Sequence, residues 1–81
     1  MFIILRLEEN LLIIRKRNNL SQSKLANKIK VSRQTIYNWE NGKSVPDILS
    51  IAKLSELYNV SIDDLIKSNI KDDVTPKSWT H

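Results

Sequence analysis

Apolar residues recur along this chain in short bursts at helical spacing, separated by turns that carry asparagine, serine or proline. Leu11 and Ile14 share one face, as do Leu25 and Ile29, Ile36 and Trp39, and the set Ile51, Leu54 and Tyr58. The flanking residues supply start and stop signals. Acids at Glu8 and Glu9 and bases at Arg15, Lys16 and Arg17 match the helix dipole and predict a first helix from Glu8 or Glu9 to about Asn18. Ser21 predicts the N-cap of a second helix, about Gln22 to Lys30, and Ser32 that of a third, about Arg33 to Asn41, stopped by Asn41-Gly42. Lys43 to Pro46 reads as a loop. Asp47 then caps a fourth helix from about Ile48 to Tyr58, ended by Asn59. Ser61-Ile62-Asp63-Asp64 is a capping box with Asp in place of Glu, and it opens a fifth helix to about Ser68, with Leu65 and Ile66 closing the core.

Two places depart from a clean amphipathic pattern. Phe2-Ile3-Ile4-Leu5-Arg6-Leu7 is either a short strand or a backward extension of the first helix, since Ile4, Leu7, Leu11 and Ile14 also fit helical spacing. Leu12 and Ile13 make the first helix apolar around more than half its girth. That predicts cover from the N-terminal segment or from another subunit. The chain therefore divides into an apolar arm (1–8), a helical domain (9–68) and a polar tail (69–81) that carries Trp79.

The shortness of the Lys30-Val31 link matters most. Two helices joined by so tight a turn cross steeply, and the first turn of the second is left projecting. Arg33, Gln34 and Thr35 stand there, donors and acceptors of the kind that read base edges.

Charge reinforces this reading. The chain has 81 residues and a net charge of +4. Between Arg15 and Lys43 there are eight basic residues and one acid, Glu40, whereas from Ser44 onward four lysines face six acids. Basicity gathered around the two central helices is the footprint of a polyanion-binding face, although a lysine-rich solvated surface looks the same on charge alone. Lys24 and Lys28 fit either description. There is no cysteine, and the single histidine is His81, so neither a disulfide nor a Cys/His metal cluster is available. The absence of cysteine suits a cytoplasmic setting, and no apolar run is long enough to span a membrane. No nucleophile–base pair, metal cluster or phosphate loop stands out, so the residues point to no enzyme and no cofactor. Asp63-Asp64, the one pair of adjacent acids in the helical domain, reads as capping. One domain of this length leaves no room for a ligand-sensing module.

The sequence Leu20-Ser21-Gln22…Leu25-Ala26…Val31-Ser32-Arg33-Gln34-Thr35-Ile36…Trp39-Glu40-Asn41-Gly42…Pro46-Asp47 resembles the lambda-repressor-like helix-turn-helix domain, also called the Xre or Cro/C1 type. The resemblance spans about Leu11 to Ile66. It implies an all-α, compact five-helix bundle whose second and third helices form the helix-turn-helix and dock on duplex DNA. Position by position, it implies base-reading roles for Ser32, Arg33, Gln34, Thr35 and Asn38. Phosphate contacts are implied for Ser21, Gln22, Tyr37, Asn41 and Lys43, with Gln22 also bracing the residue near Arg33. Arg15 and Glu40 match a pair that ties the first helix to the third. Two positions depart from the family pattern, Asn19 and Lys30 standing where glycine is common. Lys30 must then take a left-handed backbone at some cost.

The resemblance implies a transcriptional regulator, a repressor that binds a palindromic operator as a homodimer. A second reading, in another class, is an antitoxin-type module that holds a protein partner through its apolar N-terminus or Trp79 and represses its own operon.

Overall fold

The computed structural model describes residues 7–67. Within them five helices follow in order: α1 (Leu7–Arg17), α2 (Gln22–Ile29), α3 (Arg33–Glu40), α4 (Ile48–Tyr58) and α5 (Ile62–Lys67). The fold is all-α, as expected. The N-terminal segment before Leu7, with its strand-or-helix alternative, and the tail with Trp79 lie outside the described residues.

The helices α2 to α5 each start where a cap residue stands. The Ser21 hydroxyl accepts from the Lys24 N–H, and Ser32 does the same for Thr35. The Asp47 carboxylate accepts from the Ser50 N–H, and the Ser61 hydroxyl from the Asp64 N–H. Each bond satisfies a donor that the first helical turn leaves open.

The stops share one device. Asn19 (φ 57), Lys30 (φ 65) and Asn59 (φ 57) are left-handed residues, each followed by an apolar one that returns to the core: Leu20, Val31 and Val60. The N–H of each apolar residue reaches five residues back, to Arg15, Ala26 and Ser55 respectively. This is the Schellman closure with its accompanying hydrophobic contact. The second helix therefore ends at Ile29 rather than Lys30. The third ends at Glu40, where Asn41 caps it and Gly42 (φ 69) turns the chain away. A side chain at Gly42 would also press on α1, because a Cβ there would lie 2.5 Å from the Glu8 carboxylate. Among the described residues the first helix already includes Leu7, one residue before Glu8.

The core draws on every helix. Leu11 and Ile14 of α1 meet Leu25, Ala26 and Ile29 of α2, Ile36 and Trp39 of α3, Leu54 of α4, Val60, and Leu65 of α5. Ala26 is small where α2 and α3 pack together. α1 lies against α3 and α5, and α4 against α2 and α5. Leu65 is fully buried, but Ile66, predicted to share its task, is half-buried because α5 turns it toward the rim. Leu12 and Ile13 are likewise half-buried.

Asn10 is a polar residue inside this core, 1% exposed, and its side-chain amide donates to the Leu65 carbonyl at 2.7 Å. That carbonyl belongs to α5, 55 residues further along the chain. Asn10 therefore ties α1 to α5. Among the described residues no helix is long and apolar enough to cross a membrane, and no cluster of metal-ligating side chains forms.

Candidate nucleic-acid interface

The α2–α3 corner presents the polar residues that the turn was expected to project. Arg33 and Gln34 are exposed in the first turn of α3, with Ser32 exposed at its cap. Thr35 and Asn38 are half-buried, and Tyr37 is exposed. Short contacts order this surface. The Ser32 and Thr35 hydroxyls lie 2.8 Å apart, and the Gln34 amide donates to the Asn38 side-chain oxygen at 3.0 Å. Gln34 and Asn38, one helical turn apart, thus form a single polar ledge. Beyond the end of α3, the Asn41 amide donates to the Tyr37 carbonyl at 2.8 Å, and the Lys43 ammonium sits 5.6 Å from the Tyr37 ring centre. That cation–π contact holds Lys43 over the ring while leaving it charged toward solvent.

Behind the corner lies a chain of hydrogen bonds. Arg15 donates from Nε to Glu40 Oε2 at 2.6 Å and from Nη2 to Glu40 Oε1 at 3.0 Å. Its remaining Nη1 donates to the Leu20 carbonyl at 2.8 Å. The fork is bidentate and buried, and each of its three nitrogens donates a hydrogen bond, which is the geometry that makes an internal ion pair tolerable. Glu40 raises the Arg15 pKa above its already high value through this bond, against the opposing effect of burial. Glu40 also accepts from Gln22 Nε2 at 3.1 Å, and Gln22 Oε1 in turn accepts from Arg33 Nη1 at 3.3 Å. Gln22 on α2 thus touches both ends of α3.

Tyr58 stands near the same pair. Its hydroxyl is buried and finds no hydrogen-bond partner among the described residues. Burial raises its pKa well above the usual phenol value, the Glu40 charge adds to that, and Arg15 opposes it. At the start of α4, hydrogen bonds from the Ser50 hydroxyl and then the Ser50 N–H hold the Asp47 carboxyl below the usual range.

Sequence reasoning missed the Gln22–Glu40 bond and the burial of Asn10. It also did not anticipate the exposure of Val45, Ile48 and Leu49 beside the start of α4. Gln22 and Glu40 lie 18 residues apart, so no local spacing announces their contact.

A helix-turn-helix family model matches residues 11–65, two-thirds of the chain. The chain belongs to the lambda-repressor-like helix-turn-helix family. It is 40% identical over 58 residues to the HTH-type transcriptional activator BcrR of Enterococcus faecalis, covering 72% of this chain and 28% of that protein. It is 35% identical over 66 residues to the HTH-type transcriptional regulator ImmR of Bacillus subtilis, covering 82% of this chain and 50% of that one. The chain thus spans half or less of either relative. The solution structure of the DNA-binding domain of the P22 C2 repressor superposes with a TM-score of 0.71 at 25% identity, covering 99% of this chain and all of that domain. The family and these relatives are transcriptional regulators, not enzymes.

Proposed function

We propose that this helix-turn-helix protein is a sequence-specific regulator of transcription that binds double-stranded DNA by inserting α3 into the major groove. The observation that carries the reading is the exposed polar start of α3, projecting from the α2–α3 corner within the most basic part of the chain. Ser32, Arg33, Gln34, Thr35 and Asn38 face base edges in this arrangement. Arginine pairs bidentately with guanine, glutamine with adenine, and the Thr35 methyl meets thymine. Ser21, Gln22, Tyr37, Asn41 and Lys43 form the rim of phosphate contacts that set register and salt dependence.

The regulator acts as a homodimer on a palindromic operator, because one recognition helix reads only a few base pairs and two subunits multiply specificity. Val45, Ile48 and Leu49, which are 77%, 76% and 61% exposed, support this. They place an apolar surface next to the DNA-facing loop, where a second copy would bury it. The regulation is repression, since occupancy of a promoter by such a dimer blocks polymerase with no further machinery.

Selection from random duplexes followed by gel shift tests the reading. A palindromic sequence enriched over competitor DNA is the expected outcome, and no enriched sequence overturns it. Sedimentation gives the oligomeric state, and Ile48→Asp is expected to yield a folded monomer.

A further inference from the structure

The chain of contacts from Arg15 to Arg33 does more than brace two helices. Glu40 Oε1 accepts two hydrogen bonds, from Arg15 Nη2 and from Gln22 Nε2. The Gln22 amide has two unlike ends, one a donor and one an acceptor. With its NH2 committed to Glu40, its oxygen must face Arg33, and that is the observed contact. The reverse orientation would oppose Gln22 oxygen to a carboxylate and Gln22 NH2 to a guanidinium, and both encounters are repulsive. Glu40 therefore decides which end of Gln22 the recognition helix meets.

We propose that Glu40 is a positioning residue for sequence recognition. By fixing the Gln22 amide, it presents an acceptor to Arg33 and so sets the direction in which the Arg33 guanidinium reads the groove. Arg33 has five N–H donors, and one of its Nη1 protons is spent on Gln22. The others remain for a base edge. An exposed arginine otherwise samples many rotamers, and a side chain held before binding loses less entropy when it docks. The buried ion pair anchors this arrangement, because Arg15 holds Glu40 from two sides. The inference rests on the base-reading role proposed above for Arg33.

Gln22→Glu separates this role from a merely structural one. The new carboxylate still accepts from Arg33, more strongly than the amide did, but cannot donate to Glu40 and is repelled by it. That repulsion lowers stability, so a thermal melt is used to verify that the variant is folded at the temperature of the binding assay. Random-duplex selection is run on wild type, Arg33→Ala, Gln22→Leu, Gln22→Glu and Glu40→Gln.

The expected result is that Gln22→Glu loses roughly tenfold in preference, and only at the base pair where Arg33→Ala loses it, matching Gln22→Leu. Glu40→Gln, if folded, loses preference at the same base pair. If Gln22→Glu keeps or sharpens that preference, or its affinity falls equally for every sequence, Glu40 does not position Arg33 and the proposal fails. If wild type itself enriches no sequence, the DNA-reading function fails and this inference falls with it. A wild-type site with an unaltered Gln22→Glu profile overturns the positioning role alone.

Discussion

Tyr58 and Arg15 show how differently two buried polar side chains behave. The Tyr58 hydroxyl has lost water and gained no partner among the described residues, so removing it should help. Tyr58→Phe is expected to raise stability by about 1 kcal/mol, read from urea unfolding at pH 7. Its pH dependence follows from the raised pKa. The unfolded phenol ionises near 10.0 while the folded one stays protonated, so stability is full below that pH and declines as pH rises above it. Tyr58→Phe should flatten this alkaline decline, and an unchanged slope would show that another group causes it. Arg15 is the opposite case. Its side chain is 9% exposed and Glu40's is 2%. Removing either partner strands a charge, so Arg15→Ala is expected to cost roughly 3 kcal/mol or more. Replacing both by apolar residues should cost much less, and a double-substitution cycle measures the difference. Neither property was visible in residue identity alone. Tyr58 was legible as inward-facing from its spacing with Leu54, but the lack of a partner depends on what the other helices bring near it.

At the scale of the elements, three helices end on a left-handed residue followed by an apolar one. Asn19 and Asn59 are suited to that conformation, whereas Lys30 is not. Lys30→Gly should therefore stabilise the domain by about 1 kcal/mol, equivalent to a rise of roughly 4–8 °C in melting temperature. Asn19→Gly and Asn59→Gly should give smaller changes. Equal gains at all three sites would argue against side-chain strain at Lys30. The Lys53 ammonium reaches the Ile29 carbonyl at 3.4 Å and adds a cation where the dipole of α2 favours one. Asp47 acts at the opposite kind of terminus. Because its folded pKa is depressed, its contribution is present above the ordinary carboxylate value and is lost as pH falls through the folded one. Asp47→Ala should remove that part of the acid transition, as followed by circular dichroism.

For the whole molecule, charge and apolar surface are unevenly placed. If the basic segment meets phosphate, affinity must fall with salt. Lys43→Ala should then weaken binding about evenly across sequences and reduce the logarithmic salt slope by about 1, measured by fluorescence anisotropy. Arg33→Ala should instead lose discrimination at particular base pairs. Equal losses across all sequences from both variants would refute this division of roles.

The pattern of apolar positions and cap residues determined by itself that the described chain folds as five helices, with starts correct to a residue or so. These signals are local: a serine or aspartate satisfies the N–H groups within its own first turn, and apolar residues one turn apart share a face whatever surrounds them. Helix ends were blurred by one residue, because a left-handed closure involves the residues on both sides of it. Only the tertiary structure decided that Asn10 ties α1 to α5 from within the core and that Ile66 stays at the rim. The family resemblance implied that Gln22 braces the residue near Arg33, but only the structure joined Gln22 to Glu40 as well. Those outcomes depend on the crossing of helices distant in sequence, and a hydrogen bond across 18 residues leaves no periodicity for the chain to display.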